Sequence, residues 1–542
     1  MAETIQTILF LLAVMVVVAV VARRINTAPS ILLVVAGIAL ALIPGLPRLE
    51  LAPELVLLGI LPPLIYSAGV AMSWREFRFN LRPIALLAFG CVLVTASAVA
   101  LVMHWLLGMP LAAGFVLGAI VSPPDAVAPL ALVRRIGLPR RLSVVLEGEG
   151  LANDATALIL YRFAVAAVAT GVFSFRDAAS EFAVIVVGEI AFGIGVGWFS
   201  LRLRRWAHDP RVEVTLSLLT PYAAFLIPQA LGGSGVLATV AAGLYVSWNG
   251  PLLIPAATRL QGIFFWDFVI YLLEGFVFLV TGMQTRTIID SMHAALLDQL
   301  LLAVAATVAV VIAVRFAWIY PAAWIPRWIN PTLRRRDPLP SWRWLFLLAF
   351  VGVRGVVSLA AALAIPLTMQ TGAPFPDRDI ILFVTFGVIV VTLIAQGLSL
   401  PAVVRWLKLD RDAAKEQRSE MAAETAVRAE ALDVAYAKLK QFVADGRGSA
   451  SAHALLRARH DYRAGRLARP GAEGGHDGRD NDDMATTYRL RLELIAAERE
   501  YIYRQFRDGK ITDESRRRIE RELDLEEASI ACKVEDGEEP PL

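Results

Sequence analysis

Residues 147–155 of the chain read EGEGLANDA, which places three carboxylates and an asparagine inside an otherwise apolar run. A charged group at the centre of a bilayer costs about 2.5–3.5 kcal/mol on insertion scales. A chain that keeps such groups there generally uses them, although the same acids can also hold helices together or lie at a water-exposed helix end. The stretch predicts a functional polar site within a membrane-spanning helix.

The composition around this stretch is that of a polytopic membrane protein. Of the 542 residues, 57% are hydrophobic, and the mean hydropathy is +0.59. A formal net charge of +3 gives no basic field that would favour nucleic acid as a partner. The two cysteines are far apart in sequence, and no cysteine–histidine cluster has metal-site spacing. We therefore expect an all-α membrane protein without a resident cofactor and without enzymatic activity.

Thirteen apolar runs are close to the length that crosses a hydrocarbon core of about 30 Å. Arginines follow the odd-numbered runs and are scarce after the even-numbered ones, which by the positive-inside rule places the N-terminus outside and the C-terminus in the cytoplasm. Runs one to six and eight to thirteen then have opposite orientations, which predicts two inverted repeats. The runs lie at about 5–22, 28–43, 51–71, 83–107, 111–133, 143–169, 181–203, 212–231, 235–248, 261–283, 296–324, 343–368 and 379–407.

The character of the chain changes after the last run. We expect a transmembrane domain at 1–409 and a cytoplasmic helical tail at 410–542. Amphipathic charged helices are predicted in the tail on either side of a linker near 446–483 that is rich in Gly, Arg and Asp. A solvated or self-associating appendage is favoured over a specific sensor.

The fifth run contains a helix break. It reads SPPD at residues 122–125, and two adjacent prolines leave carbonyls of the preceding turn without helical partners. Unwound backbone at membrane depth persists only where it is buried in protein or lines a cavity. Freed carbonyls beside Asp125 are hard oxygen ligands suited to an alkali cation. Asp125 could instead cap the half-helix that follows, and the two roles are compatible.

In the sixth run, Glu149 and Asn153 share one helix face, and Asp154 lies near mid-bilayer about 100° around the helix. Burial favours a protonated carboxyl and a nearby cation favours a carboxylate, so Asp154 can exchange a proton for a metal ion. Asn153 adds a neutral oxygen ligand. A single titrating acid predicts one proton per monovalent ion.

A second buried acid so close to Asp154 requires a partner. Arg354 lies deep in an apolar run between Gly352 and Gly355, so the sequence predicts a structural Glu149–Arg354 pair. The alternative is that Arg354 faces a water-filled funnel. Weaker signals are two path-lining candidates, Glu274 and Gln396, and three helix-end or interhelical groups, Arg162, Glu189 and Arg315.

Three motifs together resemble the monovalent cation:proton antiporter-1 family. They are SPPDAV at 122–127, EGEGLANDATAL at 147–158 and GVRGVVSL at 352–359. The resemblance covers about residues 1–407 and implies thirteen-span protomers with interrupted core helices, usually homodimeric. It also implies exchange of Na⁺ or Li⁺ for H⁺ across the cell membrane by elevator-type alternating access.

By matching position, the resemblance makes Asp154 the carrier of ion and proton and Asp125 the acid of the unwound helix. The ion-binding set it implies is Ser122, Pro124, Asp125, Asn153 and Asp154, and the structural ion pair is Glu149 with Arg354. The Asn-Asp form is associated with electroneutral exchange.

Three departures from the family pattern leave the choice between sodium or lithium and potassium open. Gly150 stands where the family often has Ser, Pro124 stands where Thr commonly precedes the Asp, and the third run lacks an acid at 64–68 that many relatives carry. A cation channel or a non-transporting cation sensor is the alternative from a different functional class.

Overall fold

The computed structural model describes residues 2–25, 27–44, 52–125, 138–171, 174–290, 297–369, 373–447 and 449–468, together with short pieces between 491 and 528. These parts are helical almost throughout, and a helix lies in each of the thirteen predicted runs. The helices are α1 (Ala2–Arg24), α2 (Pro29–Ala41), α3 (Leu55–Ala71), α4 (Trp74–Phe79), α5 (Leu81–Leu107), α6 (Leu111–Val121), α7 (Arg140–Thr170), α8 (Phe175–Ala207), α9 (Pro210–Ala230), α10 (Val236–Leu253), α11 (Ala256–Asp290), α12 (Leu297–Ile329), α13 (Pro331–Arg336), α14 (Trp342–Phe350), α15 (Val356–Leu363), α16 (Arg378–Trp406), α17 (Leu409–Ala444) and α18 (Ala450–Ala468).

The helices have the length and composition of a multi-pass membrane protein. Seven of those described are long and apolar enough to cross a bilayer, and α2, α3 and α6 are shorter apolar helices. Large apolar side chains such as Val184, Trp198 and Phe264 are exposed on the outer faces, as expected where lipid rather than water is the solvent. The all-α polytopic class is confirmed, and the count of thirteen crossings stays a prediction.

Two of the runs are interrupted. Helix α6 ends at Val121 and residues 122–125 are not helical, so the break predicted from the prolines is confirmed. Run twelve, expected to be continuous over 343–368, instead consists of α14 and α15 with non-helical residues 351–355 between them. Glycines at 352 and 355 lower the helix propensity of that segment. The interrupted runs are the fifth and the twelfth, which correspond to each other in the predicted inverted repeats.

Wide π-helical turns occur in three of the described helices, and one of them, Leu55–Ile60, begins α3. The other two lie within longer helices. One spans Leu86–Cys91 within α5 and the other spans Thr392–Gln396 within α16. Such turns release backbone groups from the regular ladder and occur often at functional sites. The turn in α16 carries Thr392, whose hydroxyl contacts the unwound segment at 351–355.

Some of the helices pack at backbone contact. A Cβ atom added to Gly37 of α2 would lie 2.2 Å from the carbonyl oxygen of Leu279 and 2.9 Å from Cα of Gly282, both in α11. Small residues at such crossings are typical of helix pairs in membranes, where close approach supplies dispersion energy.

The chain divides into two compact units, Met1–Ala413 and Ala414–Leu542. In the second unit the ring of His460 stacks on Tyr436 at 4.6 Å, which joins α17 to α18. Helix α18 lies inside the linker predicted near 446–483, so the first part of that linker is helical and the prediction is wrong there. The reason is that alanine, leucine and arginine dominate 450–468, whereas the glycines are concentrated after residue 470. Residues 469–483 lie outside the described part of the chain.

Candidate functional site

The carbonyls freed where α6 ends are satisfied by side chains. The hydroxyl of Ser122 donates to the carbonyl of Ala119 at 3.1 Å, and Nε of Arg354 donates to the carbonyl of Val121 at 2.9 Å. A guanidinium at the C-terminal end of a helix is also favourable for the helix dipole. Arg354, whose side chain is 1% exposed, therefore caps the C-terminal end of α6.

The two unwound segments are joined through the main chain. The backbone N–H of Asp125 donates to the carbonyl of Val353 at 2.7 Å. In the other segment, the N–H of Arg354 donates to the hydroxyl of Thr392 at 3.1 Å. Backbone groups that leave a helix inside a membrane must find partners within the protein, and these contacts supply them.

The carboxylate of Asp125 lies against the start of α15. A Cβ atom added to Gly355, the residue before α15, would be 2.1 Å from Oδ2 of Asp125. The positive end of the helix dipole favours a negative group at this position. The absence of a side chain at Gly355 thus allows the acid of one broken helix to approach the N-terminus of a half-helix of the other. The alternative that Asp125 caps the half-helix following it concerns residues 126–137, which lie outside the described residues.

Asn153 and Asp154 on α7 complete the polar site. Asn153 is fully buried and its Nδ2 donates to the carbonyl of Pro124 at 2.8 Å. Its Oδ1 is buried and meets no hydrogen-bond donor among the residues that the structure describes. Asp154 is half-buried and interacts electrostatically with Asp125. The amide oxygen of Asn153 and the carboxylates of Asp125 and Asp154 are hard oxygen ligands of the kind that suits an alkali cation.

The partner of Glu149 is Arg315 rather than Arg354. Nη1 and Nη2 of Arg315 donate to the two carboxylate oxygens of Glu149 at 2.5 and 2.8 Å, and Nε donates to the carbonyl of Leu348 at 3.1 Å. The guanidinium of Arg354 instead donates to the carbonyls of Val121 and Gly352. The predicted direct Glu149–Arg354 pair is therefore wrong, because the freed carbonyls of the unwound segments occupy Arg354.

Arg315 lies on α12, and its contact with Glu149 of α7 joins two helices, as the sequence indicated. The sequence did not identify Glu149 as its partner. The sequence shows only that Arg315 lies within an apolar run, and the structure shows that its side chain is 2% exposed. Its guanidinium and that of Arg354 interact electrostatically, so both positive charges lie close to the single carboxylate of Glu149.

The weaker candidates lie elsewhere. Arg162 donates to the carbonyls of Gly232 and Gly233, and Glu189 accepts from backbone N–H groups at the start of α10. These contacts join helices, as the sequence indicated. Gln396 is buried within the π-helical turn of α16.

The charges around the two unwound segments do not balance. Among the described residues, the acids near the two unwound segments are Asp125, Glu149 and Asp154, and the arginines are Arg315, which pairs with Glu149, and Arg354. With every group ionised, the cluster carries one excess negative charge. One proton or one monovalent cation removes that charge, and both together would overcompensate it.

Comparison with known proteins identifies related sequences and folds. The sequence model of a family described as "Sodium/hydrogen exchanger, transmembrane" matches residues 10–406. An uncharacterised Na⁺/H⁺ exchanger of Mycobacterium bovis is 37% identical over 530 residues, covering 96% of this chain and 95% of the relative. A sodium, potassium, lithium and rubidium/H⁺ antiporter of Bacillus pumilus is 34% identical over 377 residues, covering 67% of this chain and 56% of the relative. The fold resembles the sodium proton antiporter MjNhaP1 of Methanocaldococcus jannaschii at pH 8, with a TM-score of 0.59 and 17% identity over 75% of this chain and 99% of that one.

Proposed function

The chain belongs to the sodium/hydrogen exchanger family, and we propose that its exchange site is formed by Asp125, Asn153 and Asp154 where the two broken helices cross. The family consists of transporters, so the chain is a membrane-embedded cation:proton antiporter and not an enzyme. The proposal concerns which residues hold the ions, how many are exchanged and which cation is carried.

The observation that supports this site is the single excess negative charge beside backbone that has left the regular helical hydrogen-bond pattern. Asp154 carries the proton when no metal ion is bound, and its carboxylate holds the cation together with Asp125. The amide oxygen of Asn153 and the carbonyls of Ser122 and Pro124 complete the ligand set, because a carbonyl that accepts one hydrogen bond keeps a second lone pair. Since H⁺ and the cation neutralise the same charge, they compete for one site.

This competition predicts an electroneutral exchange of one cation for one proton. Glu149 and Arg315 stay paired in both states, because breaking a buried ion pair costs several kcal/mol. The exchanging charge is thereby confined to Asp154 and Asp125. A loaded site and a protonated site have the same net charge, so the membrane potential does not drive the cycle.

The contacts around the site favour an elevator-type motion. The hydrogen bond from Asp125 to Val353 and the pair of Glu149 with Arg315 join α6, α7, α12 and α14. These helices are therefore expected to carry the site between the two membrane faces as one body. The rest of the bundle would provide the static support, and we propose that a homodimer holds this support in place.

The orientation that we propose places the N-terminus outside and the C-terminus in the cytoplasm of a multi-pass protein of the cell membrane. Three arginines near the ends of apolar runs, on the side that the positive-inside rule places in the cytoplasm, all contact Asp337. They are Arg82, Arg141 and Arg327. Their convergence at one end of the bundle supports the alternation of positive charge on which the orientation rests.

Sodium is the cation that we favour, because the matching family is described as a sodium/hydrogen exchanger, and two observations make potassium the second candidate. The name of the Bacillus pumilus relative covers sodium, potassium, lithium and rubidium. A test should therefore compare at least Na⁺, Li⁺ and K⁺. Gly150 also supplies no hydroxyl near the site. A less complete set of small hard ligands discriminates less strongly against the larger cation.

Proteoliposomes with an imposed pH gradient test the proposal. Addition of Na⁺ or Li⁺ should dissipate the gradient, and the response to K⁺ decides between the two candidates. Asp154→Asn should abolish the response, whereas Glu147→Gln, the same chemical change on the same helix, should preserve it. Clamping the membrane potential at different values should leave the rate unchanged.

Two outcomes would contradict the assignment. Normal exchange by a folded Asp154→Asn protein would exclude Asp154 as the carrier. Conductive currents far above carrier turnover would favour a channel.

A protein lacking residues 414–542 should retain exchange, whereas a sensor acting through the tail would lose its output.

A further inference from the structure

Three arginines converge on one aspartate at an end of the first unit, away from the exchange site. Nη2 atoms of Arg82, Arg141 and Arg327 lie 2.9, 2.7 and 2.8 Å from the carboxylate of Asp337. The four side chains carry a combined charge of +2. Like charges held this close repel unless an anion neutralises them, and the repulsion grows as water is excluded.

Arg82 has side-chain donors that no described residue accepts from. Only its Nη2 reaches Asp337, while Nε and Nη1 are buried and meet no acceptor within the described part of the chain. A guanidinium has five N–H donors, and buried donors are almost always satisfied. The unused side of Arg82 is therefore set up to receive an acceptor from outside the protein.

A cavity of about 70 Å³ opens beside these arginines. This volume exceeds what a single water requires, so the cavity admits a larger group. Arg82, Arg141 and Arg327 line it, and the remaining lining residues, among them Leu86, Val145 and Leu348, are apolar. None of the proposed ion ligands lines the cavity, so it is distinct from the exchange site.

The cavity lies at the level expected for lipid headgroups. Trp324, Trp328 and Trp342 are exposed on the ends of α12 and α14 that border it. Tryptophan is enriched where the hydrocarbon core meets water, because its ring is apolar and its N–H is polar. Arginines beside an apolar wall, at the boundary between the hydrocarbon core and water, are complementary to a molecule with an anionic head and an apolar body.

We propose that this cavity binds an anionic phospholipid, with the phosphate on Arg82, Arg141 and Arg327. The planar guanidinium forks suit phosphate oxygens, and charge-assisted hydrogen bonds of this kind are roughly twice as strong as neutral ones. The apolar wall formed by α5, α7, α12 and α14 receives the first part of the acyl chains. The lipid thereby bridges helices from both halves of the chain at their cytoplasmic ends.

Purified protein in neutral detergent tests this proposal by thermal unfolding and by native mass spectrometry. Phosphatidylglycerol should raise the melting midpoint and remain bound to the protein, whereas phosphatidylcholine should do neither. Arg82→Gln should raise the apparent Kd for phosphatidylglycerol about tenfold, because it removes a charge-assisted contact with the phosphate. It leaves two arginines on Asp337. Arg78→Gln, an equal charge change at an exposed position on the neighbouring helix α4, should leave the effect intact.

A second variant addresses the case in which Arg82→Gln unfolds. Ala322→Phe places a ring in the cavity while it keeps every arginine, and it should also abolish the phosphatidylglycerol effect. Equal responses of Arg82→Gln and Arg78→Gln, or equal binding of the two lipids, would overturn the proposal. Stabilisation by inorganic phosphate without any effect of phosphatidylglycerol would assign the arginines to a free anion and would also overturn it. The readouts do not depend on transport, so they stand apart from the test of Asp154.

Discussion

Replacing Glu149 with glutamine removes the carboxylate that holds the guanidinium of Arg315. Both side chains are at most 2% exposed, and Arg354 lies close enough to interact with each of them. The substitution would leave two buried arginines beside each other without a compensating acid. Arg315→Gln is milder, since Glu149 keeps Arg354 as a neighbouring cation, and Arg354→Gln leaves the Glu149–Arg315 pair in place.

The structure allows the sizes of these effects to be ordered. Removal of one partner of a buried pair costs about 3–5 kcal/mol, so we expect about 5 for Glu149→Gln and about 3 for Arg315→Gln. Arg354→Gln removes donors to the carbonyls of Val121 and Gly352 and is expected to cost about 1–3 kcal/mol. In a large domain, the most severe variant should lower the melting midpoint by about 5–15 °C.

A double-mutant cycle in detergent separates the two possible partners of Glu149. The destabilisation of Glu149→Gln combined with Arg315→Gln should fall short of the sum of the single effects by about 2 kcal/mol or more. The same cycle with Arg354→Gln should give a coupling below about 1 kcal/mol. A larger coupling to Arg354 than to Arg315 would refute the assignment of the ion pair and restore the pairing expected from the sequence.

Three further substitutions test the site and its surroundings. Gly355→Ala would place a methyl group 2.1 Å from the carboxylate of Asp125, so we expect at least about tenfold slower cation-driven dissipation of a pH gradient, whereas Gly195→Ala, which meets open space, should have no effect. Asn153→Ala removes the donor to a carbonyl of the first unwound segment and should raise the half-saturating cation concentration about tenfold without loss of expression. Asp337→Asn leaves three arginines around a neutral amide and should lower the melting midpoint by about 5 °C, and added salt should restore part of it by screening. An unchanged exchange rate, half-saturating concentration or melting midpoint would contradict the contact on which the respective expectation rests.

The two helix breaks show what local sequence can and cannot predict. Adjacent prolines remove backbone donors whatever their surroundings, so the interruption after Val121 follows from residues 123 and 124 alone. The interruption at 351–355 contains no proline, and glycines at 352 and 355 only weaken a helix. In the folded protein the carbonyl of Val353 pairs with the N–H of Asp125, which offsets a lost helical hydrogen bond through a contact that local sequence does not encode.

The partner of Glu149 was beyond sequence reasoning for a similar reason. Arg315 and Arg354 both lie in apolar runs, and either could neutralise a buried acid. The choice depends on how α12 is rotated about its axis and on which carbonyls the broken helices leave free. Both are properties of packing, so the acids were identifiable from the sequence while the arginine was not.

The pairing of Glu149 with Arg315 also bears on how the chain is made. The two residues are separated by 166 positions, so the acid leaves the ribosome well before its partner. At about 5–20 residues per second, that interval is on the order of 8–33 s. During it, we expect the segment that carries Glu149 to remain within the insertion machinery. Translation intermediates arrested before Arg315 emerges should therefore be more susceptible to protease than those arrested after it.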